Sequence, residues 1–418
     1  MRLVRIFMRN EGWRDVTPKT NSAFGRYLFW CVKNGNSEMT FGRPFQLAVV
    51  AVAVVLLAAC QSPPMSPQGR SGAVSINGGL PVHKQAARIG IDVPMAWGGE
   101  LRCGAAGCRL VTVEHEKSTV VLYEMQGRQA RLLDKQAVAY HPDGAIWLSD
   151  DLVVAAVEGS FSLDVFRVVE GRLQLIRQIP VGLSPRDVVL VEAADGRFRM
   201  LATPYSGKEV AWVDYVPDQP ESTRVQRAKW CEAPWHPVRV RRAPGVSEGG
   251  VVVACLDEKR VVFVPEDNLL GAARTLLTVP VDAQIVPRQT RPSPSGRWLY
   301  VALETGGRNL RLNMDSGELQ WVAAPQPVGT VGVLPLADDL VIWATDSRLY
   351  FQRLGLDGAV LETRSLTVDG FATGLQLVDA DADGVQDLVV YNSAALPKKM
   401  GVEIIYGPLW EQAQPQMP

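Results

Sequence analysis

Four aspartates fall within one short segment, Asp379-Ala380-Asp381-Ala382-Asp383-Gly384-Val385-Gln386-Asp387. Carboxylates at alternate positions, with a glycine at the sixth for the sharp turn, form the donor pattern of a calcium loop, because Ca2+ prefers several oxygen ligands in a flexible shell. Asp379, Asp381 and Asp383 occupy positions one, three and five, Val385 offers its carbonyl at seven and Asp387 ligates at nine. An EF-hand would also need a glutamate at position twelve and a helix on either side, but that position is Val390 and the flanks read as strands. Without a cation the carboxylates repel one another, so a structural Ca2+ ion is expected, with no carboxylate left over for acid or base work.

Other chemistry is sparse. There is no G-x-S-x-G elbow and no P-loop. The four histidines, His83, His115, His141 and His236, fall in unrelated contexts, and no pair has the spacing of zinc ligands. His141 and His236 each precede a proline and read as turn caps. Trp147, Trp212, Trp230, Trp235, Trp298, Trp321 and Trp343 read as packing residues, with an aromatic platform for sugar or peptide as the functional alternative. Arg239, Arg241 and Arg242 form a local basic cluster beside Trp235 and His236, which makes Trp235, His236 and Arg239 the candidate ligand-binding residues. A balance of 43 basic and 44 acidic side chains leaves no long-range field to recruit nucleic acid.

The one long apolar run, Leu47 to Ala59, ends in Leu57-Ala58-Ala59-Cys60. At about 13 residues it is short of the roughly 20 needed to span a bilayer and suits the h-region of a signal peptide. Small residues leading into a cysteine resemble the lipobox of bacterial lipoproteins, which implies lipidation of Cys60 and, with Gln61 following, the outer membrane. Residues 1–38 read as a mis-assigned extension, 39–59 as the signal peptide and 60–85 as the lipidated Cys60 with a Pro/Ser/Gly-rich tether. Setting aside Cys31 and Cys60 leaves Cys103, Cys108, Cys231 and Cys255, an even number in an oxidising compartment. Local spacing pairs Cys103 with Cys108 and Cys231 with Cys255.

Positioning these residues requires a repeating scaffold. Seven short apolar runs recur: Leu110–Val113, Leu152–Ala155, Met200–Ala202, Val251–Ala254, Leu299–Ala302, Leu340–Trp343 and Leu388–Tyr391. Turns rich in Gly, Asp or Pro punctuate them, and each unit holds room for four strands, so an all-β, seven-bladed β-propeller is expected over residues 86–410, with a polar tail at 411–418. The last unit stops at its third strand, Gly401–Tyr406; its fourth would come from Ala73–Asn77 or, preferably, Ala87–Asp92.

Two segments carry a family resemblance. Leu375 to Tyr391, LQLVDADADGVQDLVVY, is similar to the FG-GAP or VCBS repeat of integrin-like propellers, and Val181 to Thr203 resembles a decayed copy with Arg199 at the last acidic position. Leu312 to Trp321 resembles the outer-strand motif of quinoprotein-type repeats, with Asn313 in place of aspartate.

The expectation from these readings is a binding or scaffolding lipoprotein of the outer membrane, not an enzyme, with an envelope protein or polysaccharide as partner. The competing expectation is a propeller hydrolase, lyase or quinoprotein-type dehydrogenase. Two or more carboxylates, or an Arg/His pair of perturbed pKa, at the ring centre would favour the enzyme.

Overall fold

The computed structural model describes residues 88–415 apart from 105–106, 205, 280–284, 328 and 394–399. The readings of residues 1–85, Cys60 among them, and the strand candidate Ala73–Asn77 lie outside the described residues.

The repeats build seven antiparallel sheets of at least four strands each, arranged as a β-propeller. Every apolar run named above is the second strand of its blade. Leu152–Val157 and Gly250–Cys255 are buried at every position, because the neighbouring blades cover both faces of the sheet and leave no solvent side for alternation to record. The outermost strands reverse this: Arg172–Pro180 is mostly exposed.

The ring closes without a covalent link. Arg88–Ile91 pairs antiparallel with Val402–Ile405, from Arg88 opposite Ile405 to Ile91 opposite Val402. The buried Glu403 carboxylate locks this seam. It accepts from Arg88 Nη1 at 3.3 Å, Asn392 Nδ2 at 3.0 Å and the Asp369 N–H at 2.6 Å. The segment expected as a free tail docks in part: Gln414–Pro415 pairs with Val360–Thr367 as a fifth strand of the sixth blade. Both cysteine pairs lie at disulfide distance, with Cα separations of 3.9 Å for Cys103–Cys108 and 5.8 Å for Cys231–Cys255.

Polar side chains staple the innermost strands around the axis. Glu100 accepts the Trp147 N–H at 2.8 Å, Asp187 that of His236 at 3.2 Å, Gln289 that of Val333 at 2.8 Å and Gln376 that of Leu101 at 2.9 Å. Each bond crosses from one blade to the next, satisfying a backbone donor that the sheet's edge leaves unpaired.

Candidate functional site at the channel mouth

The innermost strand breaks register with its neighbour near its start in five blades. The irregularity falls between Pro142 and Gly144, Pro185 and Asp187, Trp235 and Val238, Pro287 and Gln289, and Ala372 and Gly374. A β-bulge leaves its extra residue outside the ladder and re-aims the side chain. The residues so extruded are Asp143, Arg186, His236 with Pro237, Arg288 and Thr373. Proline suits this place because it has no N–H for the ladder to lose. With Trp97, Asp187, Trp235 and Val331 the extruded residues enclose a pocket at the mouth of the central channel, Pro237 lining the cavity beyond. That larger channel cavity, of about 610 Å³, shares Trp97, Asp187, His236 and Thr373 with the pocket.

Asp143 is the centre of the charged cluster. Its buried carboxylate lies 3.0 Å from His115 Nδ1 and 3.5 Å from Arg186 Nε. The His115 ring stacks on His141 at 4.4 Å between centroids, and His141 Nδ1 is 3.6 Å from Glu158 Oε2. Glu158 opens a single 3-10 turn, Glu158–Ser160, directly after the second strand of blade 2. Burial, then the charge of the neighbouring Asp143, push the Glu158 carboxyl up to about 7 against the pull of Arg186 and His115.

His236 forms the opposite wall. Its ring lies parallel to Trp235, with 5.2 Å between centroids, and Nδ1 is 3.3 Å from Asp187 Oδ2. Burial holds it down at about 4; Asp187 pulls the other way, while Arg288, Arg291 and Arg186 reinforce the lowering. The ring is therefore neutral at physiological pH. Arg288 lies 3.6 Å from the centre of Trp235 and Arg186 4.6 Å from that of Trp97, so the indoles hold both guanidinium groups by cation–π contact. His141 and His236 both adopt left-handed backbone, with φ of 56° and 47°, strain of the kind that clusters at functional sites.

Trp235 and His236 thus come together at the mouth, but Arg239 does not. It is exposed and pairs with Glu266 at 2.6 Å, while Arg242 pairs with Asp315 at 3.0 Å, so the basic cluster disperses along the strand. Most of the tryptophans expected to pack are buried, Trp321 being the exposed exception. Trp97, His115, Asp143, Glu158, Arg186, Asp187, Arg288 and Arg291 were missed as site residues. For Asp143, Arg186, Asp187 and Arg288 the signal is a proline followed by polar or aromatic residues at successive blade starts: Pro142-Asp143, Pro185-Arg186-Asp187, Pro234-Trp235-His236 and Pro287-Arg288-Gln289.

The acidic loop lies apart from this pocket. Asp379, Asp381 and Asp387 each place one oxygen within 4.8 Å of the others. This cluster can hold a metal ion. Asp383 is outside it, its Oδ1 accepting the Val385 N–H at 2.8 Å. Asp387 is buried and accepts from Ala380 and Gly407 N–H groups at 2.7 and 2.8 Å, and Arg128 Nε lies 2.9 Å from Asp381 Oδ2. Repulsion among the carboxylates is thus already eased by backbone dipoles and one guanidinium. Asp381 Oδ1 remains buried without a hydrogen-bond partner. In the segment resembling a decayed copy, Arg199 bridges Glu192 and Asp214 at 3.0 Å each, an internal cation in place of a bound one.

No family model matches the chain, and no curated protein matches it in sequence. Solved structures do match in shape. The periplasmic gluconolactonase of Pseudomonas aeruginosa is similar at a TM-score of 0.52 and 16% identity, over 67% of this chain and 88% of that one. A Bacteroides fragilis protein provisionally assigned as a 6-phosphogluconolactonase gives 0.54 and 15%, over 67% and 86%. The hydrazine synthase of Kuenenia stuttgartiensis gives 0.57 and 11%, over 79% and 100%. The shared property is the propeller fold.

Proposed function

We propose that the chain is a propeller enzyme of the cell envelope that hydrolyses a small polar ester or lactone at the channel mouth. The observation that carries this reading is the Glu158–Asp143 pair, a carboxyl raised to about 7 next to a second, buried carboxyl group, beside Arg186 and a neutral His236. Such a pair contains an acid and a base at once. The ionised member takes a proton from water as its oxygen bonds to the acyl carbon. Arg186 faces the negative charge that develops on the carbonyl oxygen. The acyl–oxygen bond then breaks, the leaving oxygen takes the proton held by the carboxyl partner, and the pair returns to its singly protonated state. Sugar lactones are the first substrates to try, since two of the propellers similar in shape carry lactonase names at low identity. This reading favours the enzyme alternative over the non-enzymatic expectation, because Asp143 and Asp187 line the channel mouth beside His236, whose pKa is lowered, and Glu158 acts on Asp143 from the adjoining turn.

The test is hydrolysis of a panel of aldonolactones by the purified protein and by Glu158→Gln and Asp143→Asn. Loss of at least about a hundredfold in either variant is expected for a general acid–base pair. Equal rates in all three proteins would remove the pair from the chemistry, and no turnover of any lactone or ester would end the hydrolase reading.

The binding-module reading keeps support from one feature. Tyr140 and Phe161, on the loops flanking His141 and Glu158, are 60% and 53% exposed, a platform on which a polysaccharide could stack. Anchoring through Cys60 to the outer membrane belongs to either reading. So does a structural Ca2+ at Asp379, Asp381 and Asp387, which is also what the FG-GAP-type resemblance of the last blade implies.

A further inference from the structure

One guanidinium in the channel lacks the partners that its neighbours have. Arg291 lies on the innermost strand of blade 5, Val286–Pro292, two residues beyond Gln289, and both line the channel cavity. Arg102 pairs with Glu100 at 3.2 Å, Arg186 with Asp143 at 3.5 Å and Arg288 with Glu304 at 3.5 Å. Arg291 forms no hydrogen bond or ion pair with any described residue. The protein surrounds it while leaving it open to the cavity, and this desolvation lowers its hold on its proton, with Asp187 the opposing charge that acts on it. Asp187 is itself engaged by the N–H of His236 at 3.2 Å and by its ring at 3.3 Å.

A guanidinium presents five donors in a fork that matches a carboxylate or phosphate, and a half-buried one facing a cavity without protein partners is suited to such a ligand. The charges lining the cavity point the same way: Arg102 is met there by Glu100, whereas Arg291 has across from it only Asp187, which His236 already engages. The cavity beside Arg291, about 610 Å³, has room for a monosaccharide-sized ligand.

We infer that the channel binds the oxyanion of a sugar acid or sugar phosphate, a carboxylate or phosphate ester clasped by Arg291 with the rest of the ligand reaching the mouth. The placement of the reacting group at the mouth rests on the hydrolase reading; capture of the anion does not.

The experiment is calorimetric titration of the full mature protein with D-gluconate, with 6-phosphogluconate and with glucose as the uncharged control. Wild type, Arg291→Gln, Arg291→Lys and Glu158→Gln are compared, with near-ultraviolet circular dichroism checking each fold. Wild type and Glu158→Gln should bind at least one anion. Arg291→Gln should weaken that binding by about ten- to a hundredfold, the worth of a charged hydrogen-bonding pair, and Arg291→Lys by less. Weak binding of glucose should not change. If both anions weaken equally in Arg291→Gln, the shared carboxylate is the group bound; if the phosphate compound alone weakens, it is the phosphate. Unchanged affinity for both anions in a folded Arg291→Gln, or no binding of either anion to wild type, would overturn the inference. Lactone turnover with unaltered anion binding in Arg291→Gln would sink the inference and leave the hydrolase standing. Anion binding lost in Arg291→Gln, in a protein that hydrolyses no lactone, would do the reverse.

Discussion

Replacing Asp143 by asparagine keeps the shape of the side chain and removes the charge that bears most directly on Glu158. Glu158 stands at about 7 instead of the ordinary 4.5, with burial the first cause, the Asp143 charge the second and Arg186 opposing both. The rise from 4.5 to about 7 corresponds to about 3.4 kcal/mol between the two protonation states. Since burial leads and Arg186 offsets part of the repulsion, the share of Asp143 is less than half. Asp143→Asn should therefore bring Glu158 from about 7 to roughly 6. The assay is carboxyl 13C NMR of protein labelled on glutamate, with the Glu158 resonance identified by its loss in Glu158→Gln. Linkage supplies a second readout. A carboxyl whose folded value is raised from 4.5 to about 7 favours the fold below 4.5 and loses that contribution as pH rises through 7. Wild type should thus lose stability relative to Glu158→Gln across that window. Titration of Glu158 near 4.5 in wild type, or an unmoved value in folded Asp143→Asn, would refute the account of Glu158 as a carboxyl raised by burial and by Asp143.

His236 gives the opposite slope. Its folded value of about 4 against 6.5 means that its contribution is present above 6.5 and is lost as pH falls through 4, so His236→Asn should flatten the acid limb of the unfolding curve between those values. At the acidic loop, saturating Ca2+ at about tenfold over a millimolar Kd should raise stability by about 1.4 kcal/mol; Asp381→Asn should abolish the gain, and an unchanged wild-type midpoint against chelator removes the ion from the loop. Breaking Cys231–Cys255, which closes a loop of 24 residues, should cost about 3 kcal/mol in urea unfolding, more than breaking Cys103–Cys108 at separation 5. At the seam, a Cβ on Gly401 would come 1.5 Å from the Val93 carbonyl oxygen, so Gly401→Ala should destabilise by at least about 1–3 kcal/mol, read as a lower thermal midpoint.

The architecture was legible in the sequence because each blade must bury one strand on both faces. That requirement writes a continuous apolar run, such as Leu152–Ala155 or Val251–Ala254, at a regular period. Local pairings were legible for a related reason: Cys103 and Cys108 flank one hairpin, and Ala87–Asp92, closely matching the closing strand Arg88–Ile91, is the nearer of the two apolar segments before the first blade. The acidic loop was visible as a cluster within nine residues, but which oxygens converge was decided by the turn, whose N–H groups draw Asp383 away while Asp387 is buried. The channel mouth could not be read this way. Asp143, Arg186, His236 and Arg288 are roughly fifty residues apart in sequence, each set among ordinary turn residues, and only the ring brings them to one point. Their inward aim comes from the bulge beside each blade's first proline, a feature of register, not of composition. Arg239 shows the converse: three residues from His236 in sequence, it follows the strand away from the mouth, because the bulge after Trp235 shifts register and strand alternation sends Arg239 outward to Glu266.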